Sequence, residues 1–225
     1  MDRRSFALTA IAACAVCAAP AYAAASTTWD GLVQVQSKRF ALAFLAPGAD
    51  FSPYHKIMID PVQIAFRKNY VRDFNRTRRG VSSQIRDSDV ERMVDQGSRS
   101  ATTLFARAFS NGGYQVVTEP GPDVLRVQSS VIDIFVNAPD VRGAGRRTVI
   151  ASQAGYGTFV VEARDSMTGA LLGRVLDRRF AGDDIGRSRN SVSNRADFEA
   201  LFRTWARQAV AEFGDLRKLP ATTGA

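Results

Sequence analysis

One run of this chain concentrates the residue types that bind anions: Phe66-Arg67-Lys68-Asn69-Tyr70-Val71-Arg72-Asp73-Phe74-Asn75-Arg76-Thr77-Arg78-Arg79. Phe66, Tyr70 and Phe74 recur every four residues, and Lys68, Arg72 and Arg76 follow on the same period. Wound as a helix, the run carries an aromatic stripe beside a basic one, which suits it to lying on an anionic surface. Arg67, Lys68, Tyr70, Arg72, Arg76, Arg78 and Arg79 are the candidate contacts. The plainer reading puts the aromatics in the core and the charges in water. It is preferred, because aromatic stripes mostly fill cores.

Acid–base chemistry has thinner support. Asp183-Asp184 is the one adjacent carboxylate pair. Paired acids can move protons or hold a hard cation. On extended chain, however, neighbours point apart, and Arg187 and Arg189 nearby favour a surface salt-bridge network. A hydrolase built around Asp60 or Asp183 would need two carboxylates about 5–10 Å apart across a cleft. His55, beside Lys56, is the one histidine. No serine or cysteine nucleophile can be tied to it, and Gly-x-Ser-x-Gly and His-Glu-x-x-His are both absent. A single histidine rules out a multi-histidine metal site within one subunit. The loop Arg142-Gly143-Ala144-Gly145-Arg146-Arg147 lacks the lysine-serine ending of a phosphate loop and leads toward a strand. Neither metal nor cofactor is expected.

The first 23 residues read as an address. Met1-Asp2-Arg3-Arg4 is a short basic start, Ser5 to Pro20 is Ala-rich and uncharged, and Ala21-Tyr22-Ala23 offers small residues to a signal peptidase. Cleavage after Ala23 is expected, with Ala25 a lesser site. Two other routes fit less well. Ile11-Ala12-Ala13-Cys14 matches a lipobox, which would acylate Cys14, but the apolar run ahead of it is short. Arg3-Arg4-Ser5-Phe6 resembles a twin-arginine signal, with Ala7 where a larger aliphatic is usual. Both cysteines, Cys14 and Cys17, lie in this leader, so cleavage leaves no thiol and no disulfide.

The remaining 200 or so residues suit one domain with a sizeable core. At 45% hydrophobic and 23% charged, the composition is globular. No later apolar run reaches the ~20 residues a membrane helix needs. Cleavage removes Arg3, Arg4 and Asp2 from 30 basic and 22 acidic side chains, lowering the net charge from +8 to +7. Outside a bacterial cytoplasm this charge points to solubility, or to anionic envelope polymers, rather than to nucleic acid.

Several elements must position whatever chemistry exists. Ser26 to Gln36 is a polar lead-in, and Arg39 to Leu45 is a short strand ended by Pro47-Gly48. His55 to Phe66 alternates around Pro61, so it reads as an edge strand or a bulged one. Ser88-Asp89-Val90-Glu91 has the form of a capping box. Val90, Val94, Gly97, Ala101, Leu104, Phe105 and Ala108 then share a helix face until Asn111-Gly112-Gly113. Tyr114 to Thr118 is a short strand and Asp123 to Val136 a long one. In the long strand Leu125, Val127, Val131 and Phe135 share one face, and Ile132, Ile134 and Val136 the other. Asn137 to Ala154 is a long loop, of which Thr148 to Ser152 can extend the next strand. Gly157–Asp165 and Leu171–Phe180 form a hairpin whose turn ends in a left-handed Gly169. Asn194 caps a last helix from Arg195 to Phe213, stopped by Gly214. Phe198, Leu201, Phe202, Trp205, Ala209 and Phe213 are its buried stripe. A parallel strand–helix–strand crossover followed by an antiparallel meander gives an α+β fold. Its expected architecture is a single mixed, mostly antiparallel sheet with two amphipathic helices packed on one face. Residues 1–23 form the export signal, 24–214 one domain and 215–225 a loose tail.

Several strings, taken together, resemble one bacterial family. They are Trp29-Asp30-Gly31-Leu32 with Ser37-Lys38-Arg39-Phe40; Asp60-Pro61-Val62 with Ala65-Phe66-Arg67-Lys68-Asn69; and Gly121-Pro122-Asp123-Val124-Leu125. Val136-Asn137-Ala138-Pro139-Asp140, Arg164-Asp165-Ser166 with Thr168-Gly169, and Asn190-Ser191-Val192-Ser193-Asn194-Arg195-Ala196 complete them. The set is similar to domain of unknown function 3313 over about residues 29–214. That resemblance implies an exported envelope protein, often a lipoprotein, of unassigned activity, and it brings no catalytic residues. The sequence reading is therefore a non-enzymatic binding or accessory module of the periplasm or cell envelope. Its partner is an unidentified envelope protein or anionic polymer, and any membrane tether is a lipid. A carboxylate-dependent envelope hydrolase, and an anionic-surface binder acting through Arg67–Arg79, are the alternatives.

Overall fold

The structure is a computed structural model that describes residues 30–76, 84–137, 149–150, 153–182, 188–189 and 191–219. The leader with Cys14 and Ala23, the residues Arg78 and Arg79, the glycine loop and Asp183-Asp184 lie outside them.

The hairpin is its backbone. Strand β8 (Gly155–Asp165) pairs antiparallel with β9 (Leu171–Ala181). At the turn, the Asp165 carboxylate accepts the amides of Met167 and Thr168 at 3.1 and 2.7 Å, and Gly169 takes φ +73° as the turn requires. β8 also pairs antiparallel with β6 (Val124–Val136). On the far side of β9 lie β2 (Leu42–Leu45) and then β1 (Val33–Val35), a strand within what reads in sequence as a polar lead-in.

Pro61 does more than bulge a strand. It splits the segment into β3 (Lys56–Ile59) and β4 (Gln63–Phe66), which lie one after the other, both parallel to β6. Proline has no N–H for a ladder, so the chain breaks there. It is re-anchored at Val62, whose amide donates to Thr102 Oγ1 at 2.9 Å. β5 (Gln115–Val117) returns parallel to β3 after the helix α2 (Asp87–Asn111), so β3 is an interior strand rather than an edge. The result is an eight-stranded mixed sheet, mostly antiparallel, in an α+β fold. A separate two-stranded ladder joins β7 (Val149–Ile150) to β10 (Ser188–Arg189).

The expected faces of β6 reverse partway along. Asp133 takes φ +53° and the register shifts between Ile132 and Phe135, so the side-chain phase slips by one. Ile134 and Val136 therefore turn into the core, Ile132 is 41% exposed, and Phe135 joins the outer face. Gly155 sits opposite this bulge. A Cβ there would lie 2.0 Å from the Phe135 carbonyl oxygen, so no other residue fits.

Helix starts also differ from the sequence reading. α2 begins at Asp87, and the Asp89 carboxylate, not Ser88, closes the first turn by accepting the Arg86 amide at 3.0 Å. An acid is favoured there by the unpaired N–H groups and the helix dipole. Helix α3 spans Ser191–Leu216, so Asn194 is a buried residue inside it rather than its cap, and Gly214 is helical. Packing overrides the weak local stop signals, since Leu216 packs against the core. Of the tail expected from residue 215, residues 215–219 are described, and there Asp215 pairs with Arg39 and Arg217 meets His55.

Both long helices cover one face of the sheet. Trp205 of α3 stacks on Phe159 of β8 at 5.0 Å between ring centroids, and Phe105 of α2 meets the same ring at 5.3 Å. Beneath them, the buried Asp177 accepts from Trp205 Nε1 at 2.9 Å and from Arg179 Nε. Arg179 in turn donates to the Arg39 carbonyl at 3.1 Å, which joins α3, β9 and the chain before β2 in one network.

Among the described residues neither long helix reaches the opposite face, and only at its Phe135 end does a helical residue, Tyr70, meet it, at 5.8 Å between rings. The charged side chains of this face, and those of the adjoining loops, pair among themselves: Lys56–Asp123, Arg126–Asp60, Arg164–Glu162, Arg174–Asp30 and Arg178–Asp133. Toward one end the face is apolar. Leu42, Leu176 and Val160 lie abreast, and Phe135, Tyr156 and Phe180 form a row of rings 5.6 and 6.1 Å apart.

Candidate functional site

A hollow of about 470 Å³ opens between the helix-covered face of the sheet and the C-terminal half of α3. That is within the ~300–1,000 Å³ usual for small-molecule sites. Leu125, Val127, Val161 and Ala163 supply an apolar floor from β6 and β8, and Phe51, Phe109 and Phe213 form a wall. Phe213 meets Phe51 at 6.3 Å and Phe109 at 6.5 Å.

The mouth is built from residues far apart in sequence. Ser37 Oγ accepts the amides of Arg39 and Phe40, each at 3.1 Å, and this local turn drives Phe40 into the core. Arg39 is thereby aimed at α3, where it pairs with Glu212 at 3.0 Å and Asp215 at 2.7 Å. Asp215 and Glu212 together hold the Arg39 guanidinium more firmly protonated than usual. Lys38 stands exposed beside it on the same rim. An apolar interior with a charged rim can take an apolar group in and fix a polar one outside. A smaller hollow of about 140 Å³ lies at the opposite end, between α2 and α3 over Ile64, Phe66 and Ile134.

The basic run is not a flat binding stripe. Tyr70 and Phe74 belong to the short helix α1 (Tyr70–Arg76), and both are buried, at 3% and 5% exposure. Tyr70, a candidate surface contact, instead donates its hydroxyl to the Val136 carbonyl at 2.9 Å inside the core. Arg67 lies over the Phe135 ring at 4.6 Å and pairs with Asp73 at 3.5 Å. Lys68, Arg72 and Arg76 are exposed, and Arg72 also reaches Asp73, at 3.1 Å. Asp60 is gripped by Arg126 Nε at 3.0 Å and by Gln128 Nε2 at 2.9 Å. His55 Nδ1 faces Arg217 Nη2 at 2.5 Å. Among the described residues, no cluster of three or more His, Cys, Asp or Glu could hold a metal. No helix among them is long and apolar enough to cross a membrane.

Sequence reasoning missed the mouth altogether. Arg39 and Glu212 are 173 positions apart, and nothing local to either marks the other.

No curated protein matches the chain. Solved structures give low-scoring likenesses. PelC from Paraburkholderia phytofirmans, a dodecamer, is 13% identical over 74% of this chain and 94% of its own, at a TM-score of 0.36. A neuraminyllactose-binding hemagglutinin homolog from Helicobacter pylori is 13% identical over 83% and 97%, at 0.38. At such scores the likeness extends to neither ligand nor assembly. The family model is decisive by contrast: it matches residues 23–209, and the chain belongs to the family described as Protein of unknown function (DUF3313).

Proposed function

We propose that this protein is a non-enzymatic binding module of the bacterial cell envelope, and that its ligand is an amphiphile held in the hollow beside α3. The observation that carries this reading is the 470 Å³ volume, apolar within and rimmed by Lys38, Arg39, Glu212 and Asp215. An aliphatic chain or hydrophobic side chain would lie against Leu125, Val127 and Val161, and its polar end would meet the rim. The envelope assignment rests on the leader read from residues 1–23.

The test is titration with the fluorescent apolar probe N-phenyl-1-naphthylamine, followed by competition with palmitate. Saturable binding that palmitate displaces is expected. Ala163→Phe, which fills the floor, should weaken it at least about tenfold while leaving the circular dichroism spectrum unchanged. Absence of probe binding to the wild type, or equal binding by the filled variant, would refute the reading.

A further inference from the structure

We propose that the face of the sheet opposite the two long helices is the contact between two copies of this chain, packed sheet against sheet. An antiparallel sheet with one solvated face normally alternates apolar inward with polar outward. Here the outward positions at one end break that rule. Leu42, Ile132 and Phe180 are 41%, 41% and 54% exposed, and Phe180 continues the ring row through Tyr156 to Phe135. Aromatic residues and arginine together are the composition of interface centres. Arg178 adds its guanidinium 4.6 Å over the Tyr156 ring.

Charge identifies the occupant. The chain is +8, or +7 once the leader is removed, so two copies repel unless they meet on a neutral surface. Among the described residues this face is such a surface, because the five cations of the ion pairs described above are matched by their five anions, and Arg67 over Phe135 is matched by Asp73. A polyanion would find no net positive charge here, whereas an apolar, self-neutralised face is complementary to itself, as an isologous contact requires. Size agrees. The three long strands with the short flanking β2 and β3, at ~4.8 Å spacing and ~3.4 Å per residue, present on the order of 700 Å². A stable interface covers about 800 Å² per partner. Such packing leaves the hollow beside α3 open on the outside of each copy, so the two readings stand or fall separately.

Sedimentation velocity on the purified protein at micromolar concentration tests it. A dimer is expected for the wild type. Phe180→Glu and, independently, Leu42→Glu should each weaken it at least about thirtyfold, the scale of an interface hot spot. Arg107→Glu, exposed on α2 across the sheet, should leave it intact. Circular dichroism of each variant verifies the fold, and the second variant serves if the first fails to fold. A wild type that sediments as a monomer throughout, including one that binds an anionic polymer, overturns the proposal. So does a dimer that survives both glutamates.

Discussion

Replacing Asp177 with alanine removes the acceptor shared by Trp205 and Arg179, and its cost can be worked from the geometry. Two bonds to a charged oxygen are lost, each worth about 1.5–3 kcal/mol net. Trp205 is fully buried, so its indole N–H, left without an acceptor, carries a desolvation cost of ~1–3 kcal/mol. The Arg179 side chain is 33% exposed and can recover water, so its share is discounted. About 3–4 kcal/mol is therefore expected for Asp177→Ala. Asp177→Asn keeps an oxygen for the indole and should cost about half as much. Urea unfolding followed by tryptophan fluorescence reads both. With a slope near 2 kcal/mol per molar, the alanine variant should shift the midpoint by about 1.5–2 M. A double-mutant cycle with Trp205→Phe should return a coupling of at least ~1 kcal/mol. A shift worth less than ~1 kcal/mol for Asp177→Ala, or zero coupling in the cycle, would refute the view that this network ties α3 to the sheet.

Gly155→Ala should cost at least about 3 kcal/mol or abolish folding, because its Cβ would sit 2.0 Å from the Phe135 carbonyl oxygen; thermal melting checks this. The Tyr54 hydroxyl, burdened by burial and then by its bond to Asp165, has its pKa pushed up from 10.0 to about 12. That contribution is whole below pH 10 and is lost as pH rises toward 12, so Tyr54→Phe should flatten the alkaline limb of a stability profile. Glu162 runs the other way. Burial pushes its carboxyl up, but Arg164 and Arg174 outweigh burial and hold it below the ordinary 4.5. Its contribution is present above that value and is lost as pH falls through the lower folded value. Glu162→Gln should therefore lower stability at neutral pH and shrink the acid-side loss, both visible by urea denaturation at a series of pH values.

What could be read from the sequence was whatever is closed within a few residues. The β8–β9 turn is legible because Asp165, Thr168 and Gly169 satisfy one another locally. The buried stripe of α3 is legible because Leu201, Phe202, Trp205, Ala209 and Phe213 repeat on the helical period and are all buried. Helix ends were less legible, since Asp89 competes with Ser88 for one role and packing carries α3 through both Asn194 and Gly214. The phase of β6 could not be read past Asp133, because a single aspartate among Val, Ile and Phe does not by itself say that the backbone takes a positive φ and adds a bulge there. The Phe66–Tyr70–Phe74 spacing was real, but a period alone does not say whether a stripe faces water or core. The mouth beside α3 joins positions brought together only by the whole fold.

The docking of β2 onto β9 fixes an order of assembly. Leu42 has Leu176 as its cross-strand partner, so a strand near the start of the chain waits for more than half of the chain to be made. At ~5–20 residues per second, that wait is on the order of ten seconds during synthesis. The β6–β8–β9 meander closes over short separations and can form by itself, whereas pairings of such long separation form slowly. β1 and β2 are then the last strands to arrive. A chain cut before residue 171 leaves them no sheet to join, although β3, β4 and β6 retain one another.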